Sequence, residues 1–386
     1  ITYRRRRPRR RGCLSSAMIL SLVFGGLMLS WGWLADQLRG PNTPPPDGLS
    51  DAESAFTSGD LDGAIVTARG VYDAEPERFD ALLLLVRSLI YRSYSDYNHS
   101  LDRQVALQLA DRAVQAYPTV PDVLAARALA LHANGRAVDG FRMAERALTI
   151  DPEHTMARIA LALTYGGVGG YNAALREAET VIASAPLPLH YDALRTYAVA
   201  LGDLGRYADA LTVSERAVKL NPRVPLAHYE RALFALQLGD FNTATTAYFH
   251  VLSHDPDNAK AHLRLCELST VLRETDNAER YCLRTTEIAP GWADGWYRLG
   301  REYYLQGDFQ AAQTYLNRCT RLQIAQNVPV PQRQFECWYL QGLAAEANGD
   351  CPALNKVYNE YITMTDGYDL PQTWTLPPEG PVVCTS

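Results

Sequence analysis

Four side chains in one short stretch have the types and spacing of a metal site. His250 and His254 share a helical face at i, i+4, with Asp255 and His262 close behind, and imidazole with carboxylate at that spacing suits zinc. The competing reading is a set of solvated histidines at a helix end, and no glutamate-bearing metallohydrolase signature accompanies them. Gly166-GVGG is the one glycine-rich run, but a phosphate-binding loop follows a strand and opens a helix, whereas this run falls in a turn between two helical stretches. We therefore expect no catalytic residue, no metal, no cofactor and no small-molecule substrate. The cysteines carry more. Cys266 and Cys282 fall on two consecutive helical stretches, as do Cys337 and Cys351, leaving Cys319 and Cys384, while Cys13 stands apart. The six are either oxidised pairs, which would fit an extracytoplasmic body, or small buried thiols.

The elements that must position these residues repeat. Prolines recur at Pro118, Pro152 and Pro186, then at Pro222, Pro256 and Pro290, at intervals of 34 with one of 36, and each ends a helix. Gly59, Gly135, Gly169, Gly205, Gly239, Gly307 and Gly349 run in phase with them and suit the left-handed backbone that closes a first helix before a second. Five residues after most of these comes a small side chain (Ala64, Gly140, Ala174, Ala210, Ala244, Ala312), which lets paired helices approach closely.

Ala293-DGWYRLGREYYLQGDFQAAQTYL resembles the tetratricopeptide repeat (TPR) consensus through Trp296, Leu299, Gly300, Tyr303, Gly307, Phe309 and Ala312, and Tyr197-AVALGDLGRYADALTVSERAVKLNP resembles it nearly as well. The resemblance covers about nine helix-turn-helix units and implies an all-α fold, a TPR superhelix or α-solenoid, with a long concave surface that binds protein partners. The second unit departs around Tyr91-RSYSDYNHSLDRQ with an eight-residue insertion, and the eighth is followed by the extra loop Asn327-VPVPQRQ. In TPR proteins the first helix of each unit lines the groove. By phase the lining residues here are Ile159, Leu163, Arg195, Val199, Tyr229, Leu233, Leu263, Tyr297, Arg301, Tyr304 and Tyr339, a channel suited to a peptide or helix with apolar anchors and some negative charge. Any one of these could equally be inter-unit packing. The basic clamp by which TPR co-chaperones hold a terminal carboxylate is missing, and the chain has only three lysines, Lys219, Lys260 and Lys356.

Seven arginines crowd the first dozen residues; setting them aside from the 37 basic residues leaves 30 against 43 acidic ones, so the body is acidic and repels nucleic acid. Residues 1–12 read as a basic cytoplasmic segment and 13–36 as a transmembrane signal-anchor helix, roughly 30 Å of uncharged chain ending in Trp31 and Trp33. A cleaved signal peptide and a twin-arginine signal are the alternatives. Residues 37–48 form a proline-rich spacer, 49–368 the repeat domain, and 369–386 an extended proline-rich tail whose Trp374 either caps the last helix or reaches a partner. The expected protein is a single-pass inner or plasma membrane protein displaying its repeats on the periplasmic or extracytoplasmic side. It would serve as a scaffold or accessory subunit of a membrane complex, with an assembly factor or chaperone of the cytochrome c maturation type as the first alternative and a metal-dependent enzyme as the second.

Overall fold

The computed structural model describes residues 48–186, 189–370 and 374. The basic segment 1–12, the expected membrane helix 13–36 and nearly all of the spacer 37–48 lie outside them, as does most of the tail. Among the described residues there is no strand, and no helix is long and apolar enough to cross a membrane.

Among the described residues eighteen α-helices pair into nine units. Unit 1 is α1 (Gly48–Ser58) with α2 (Leu61–Ala74), unit 2 α3 (Phe79–Ser93) with α4 (Asp102–Ala116), and unit 3 α5 (Pro121–Ala133) with α6 (Ala137–Ile150). Units 4 to 6 are α7 (Thr155–Gly167) with α8 (Tyr171–Ser184), α9 (His190–Asp203) with α10 (Tyr207–Leu220), and α11 (Pro225–Gln237) with α12 (Phe241–His254). Units 7 to 9 are α13 (Ala259–Leu272) with α14 (Thr275–Ile288), α15 (Ala293–Gln306) with α16 (Phe309–Ala325), and α17 (Glu336–Ala347) with α18 (Cys351–Thr365).

Local chemistry sets both kinds of turn. The seven in-phase glycines all have φ between 67° and 85°, ending seven of the nine first helices where a Cβ would be strained. In four units an aspartate follows directly (Asp60, Asp240, Asp308, Asp350) and its carboxylate accepts the N–H three residues on, an N-cap worth about 1 kcal/mol. Unit 7 breaks the rule, because Arg273 holds the left-handed position at φ 60°. The return turns are tied by a repeated bond from the next first helix to the proline carbonyl six residues before. Arg158 Nη2 donates to Pro152 (2.6 Å), His228 Nε2 to Pro222 (2.7 Å), His262 Nε2 to Pro256 (3.0 Å) and Trp296 Nε1 to Pro290 (2.9 Å).

Stacking the hairpins buries a continuous core. The small residues predicted at the close approach are buried; at Gly140 an added Cβ would sit 2.9 Å from the Ala128 carbonyl oxygen. Helix α3 is buried on every side, Leu82 to Val86 without interruption.

The array also closes on itself. Asn221 Nδ2 donates to the Phe56 carbonyl at 3.0 Å, and the ends of α1 and α3 lie against the return turns before α11, α13 and α15. Unit 2 thereby touches units far beyond its neighbours.

Cys266 is bonded to Cys282 with Cα atoms 5.1 Å apart, both at the middle of their helices. The pairing of Cys337 with Cys351 is corrected: Cys337 is bonded to Cys319, Cα–Cα 6.0 Å. Cys319 lies in the last turns of α16 and Cys337 at the start of α17, which meet at one end of the stack. Cys351 begins α18 beyond the far end of α17, on the order of 15 Å along the axis, past a disulfide's reach. Cys351 is disulfide-bonded as well, and Cys384 lies outside the described residues.

Candidate functional site: the superhelix interior

The first helices face the interior, and the interior has a closed part and an open part. In units 2 to 5 it is filled by its own charges. Arg87 on α3 reaches across to Asp192 on α9 with bonds of 2.5 and 3.3 Å, and the Tyr91 hydroxyl donates to the same carboxylate at 2.5 Å. Both partners are buried, Asp192 at 2% exposed and Arg87 at 7%, a placement tolerable only because each is paired and bonded. The Arg87 guanidinium also covers the Phe56 ring at 4.6 Å. Arg195 stacks over Tyr91 at 5.3 Å and grips Glu230 with bonds of 2.6 to 3.1 Å. Burial works against the Arg195 charge, and Glu230 together with the Tyr91 and Tyr191 hydroxyls more than offsets it, so that its pKa is raised. Burial pushes the Tyr91 hydroxyl well above its ordinary range, which leaves it a donor to Asp192. The space left among His132, Ile159, Leu163 and these groups is about 40 Å³, room for about one water.

That closure decides what the phase-assigned residues do. Ile159, Leu163, Leu263 and Tyr297 are buried, Val199 is half-buried in the core, and Arg195 is committed to Glu230. Tyr229 donates to Asn258 Oδ1 at 2.7 Å with the Lys260 ammonium 4.4 Å from its ring. Tyr339 meets Trp374 edge-on at 5.8 Å. Leu233 is 51% exposed, and Arg301 and Tyr304 are half-buried on α15.

The open part begins at unit 6. A groove of about 410 Å³ runs between α11, α12 and α13, walled by Leu233, Phe241, Leu268 and Val271, with Arg264 and Glu267 paired along it. Val271 is 67% exposed, and Leu305 continues the apolar run on α15 at 56%. Phase did not select Val271 or Leu305, which stand one helical turn beyond the positions of Glu267 and Arg301. Lys260 was visible as one of three lysines, but nothing in its neighbours announced the charge it meets here.

The histidine cluster serves packing. His250 stacks on His228 with ring centroids 5.3 Å apart, and His262 is tied to Pro256. Burial holds His228 neutral, lowering its pKa to about 4. Among the described residues no three histidine, cysteine or acidic side chains are grouped to hold a metal ion.

Comparison with known proteins gives the repeat a name. Residues 159–213, 204–263 and 293–324 each match a tetratricopeptide repeat family model. A TPR repeat-containing thioredoxin of Arabidopsis thaliana is 35% identical over 77 residues, 20% of this chain and 11% of that protein. Among solved structures, a chain of the APC/C hetero-tetramer Cut9-Hcn1 aligns over 77% of this chain and 55% of its own with a TM-score of 0.57 at 15% identity, a likeness of fold. A thermophilic TPR protein of Thermus thermophilus aligns over 48% of this chain and all of its own, at 24% identity and a TM-score of 0.41. This chain thus spans about half of the first of those structures and a ninth of the curated relative. Helix pairing and the in-phase glycines and prolines agree with the three matched stretches: the described residues form an all-α solenoid of helix pairs, within which 159–263 and 293–324 match tetratricopeptide repeats.

Proposed function

We propose that this chain is a membrane-anchored interaction scaffold, an accessory subunit that binds a protein partner along the open interior of units 6 to 8 on the extracytoplasmic side. The observation that carries the binding reading is the groove beside Leu233 and Val271. Large apolar side chains stand there half or more exposed on adjacent first helices, in a fold that otherwise buries that face. Anchoring rests on the sequence of residues 1–36, and the disulfides in units 7 to 9 fit an oxidising compartment.

The test is the double substitution Leu233→Asp, Val271→Asp in the 386-residue chain, followed by cross-linking in membranes and mild detergent extraction. Losing anchors at a well-packed interface costs about 2 kcal/mol or more, so partner recovery should fall by about thirtyfold or more. Both positions are exposed, so the helical circular dichroism and melting temperature should stay near wild type. Tyr297→Ala would be a poorer probe, since Tyr297 is buried and its loss reads as packing. Undiminished recovery with the double variant would exclude this groove.

A further inference from the structure

The insertion in unit 2 has a destination. Where seven of the other units turn on a glycine, residues 94–97 reach out of their own hairpin to units 7 and 8. Four consecutive residues make the contact. The Tyr94 carbonyl accepts from Lys260 Nζ at 2.5 Å and the Ser95 carbonyl from Asn258 Nδ2 at 3.2 Å. Asp96 Oδ1 accepts from the Lys260 backbone N–H at 2.9 Å, and the Tyr97 ring stacks on Trp292 at 5.0 Å and 17°.

The receiving surface has the features of a peptide-binding site. The Lys260 N–H belongs to the first turn of α13, where helix donors lack partners of their own, and Asn258 caps the same helix through Ala261 N–H at 3.0 Å. A carboxylate from elsewhere in the chain completes that cap, beside an ammonium and with the positive end of the helix beneath it. Asn258 is 1% exposed and uses both ends of its amide, while Tyr229 fixes its orientation. Lys260 and Tyr229 are also walls of the 410 Å³ groove, so this surface is continuous with the open interior.

We propose that Asn258, Lys260 and Trp292 form a recognition site for an extended peptide bearing a carboxylate followed directly by an aromatic ring, that residues 94–97 fill this site in cis, and that the groove's partner carries the same signature and displaces them. The proposal deepens the scaffold reading and rests on it: the partner's segment would enter where residues 94–97 lie and continue along Leu233 and Val271. A tethered competitor acts at an effective concentration in the millimolar range, so a cis segment of micromolar intrinsic affinity would weaken a trans peptide by about a hundredfold to a thousandfold.

The probe is a fluorescent synthetic peptide of residues 93–101, titrated into the 386-residue chain, into a variant with residues 95–99 replaced by glycine and serine, and into Asp96→Ala, Tyr97→Ala. Both variants should bind it at least about a hundredfold more tightly than wild type. A peptide with alanine at the positions of Asp96 and Tyr97, or a Trp292→Ala change in the variant, should abolish the gain. Folded variants that bind no better than wild type, or that bind the alanine peptide equally well, would overturn the proposal. Failure of both variants to fold would also overturn it, by making the segment a structural strut. Because the probe comes from this chain, the result is independent of whether Leu233 and Val271 bind a partner.

Discussion

His228 is 2% exposed, its Nε2–H is committed to the Pro222 carbonyl, and its Nδ1 has no hydrogen-bond partner, so a second proton finds no acceptor there. Burial lowers its pKa from 6.5 to about 4, with the Pro222 bond acting the other way. The unfolded chain takes up a proton near pH 6.5 and the folded one only near 4. Stability present above 6.5 is therefore lost as the pH falls, on the order of 2 kcal/mol at pH 5. His132, lowered to about 4 first by burial and then by Arg195, adds in the same direction. Asp203 and Asp294, whose pKa values burial raises, act oppositely. The clean observable is consequently a difference. His228→Leu should be less stable than wild type at pH 7 in urea denaturation, yet lose less on going to pH 5. Parallel losses would mean that the folded histidine titrates normally.

Helix α13 is the one first helix that ends on a left-handed arginine, and the position 34 residues on either side is glycine. A side chain there costs roughly 1–2 kcal/mol, of which a glycine's extra freedom in the unfolded chain takes back about half. Arg273→Gly should accordingly stabilise by about 0.5–1 kcal/mol, read as a higher urea midpoint; a lower midpoint would show that the exposed arginine makes a contact worth more than the strain. This element shows how much was legible. Glycine and proline phase located the helix pairs because turn geometry is local, and the insertion was visible as an interruption of that phase. Its destination was not, because periodicity says which face of α3 or α9 is apolar and nothing about what lies across the interior. For the same reason Arg195 and Tyr229 read as free groove residues when they are held by Glu230 and Asn258. The cysteine error was of another kind: Cys337 and Cys351 do sit on paired helices, but Cys337 opens α17 and Cys351 opens α18 past the far end of α17, and helix length already forbids the bond.

A solenoid whose units met only their neighbours would have a stability that sums along the chain. Here Arg87 answers to Asp192, Phe56 to Asn221 and Asp96 to Lys260, so damage at one end should register at the other. Truncation after residue 254 removes units 7 to 9 and with them Asn258, Lys260 and Trp292. Hydrogen exchange of residues 94–99 should then rise by about tenfold or more, although no residue near them in sequence has changed. Unchanged exchange would return the molecule to nearest-neighbour behaviour. The same closure has a consequence in time. A ribosome adds about 5–20 residues per second. The 164 residues from Asp96 to Lys260 therefore take roughly ten to thirty seconds to appear. Through that interval residues 94–97 are synthesised but unseated, and Arg87 waits on the way for its carboxylate. The order of synthesis thus gives any factor that recognises an acidic-aromatic segment first access to it, before the chain can claim it for itself.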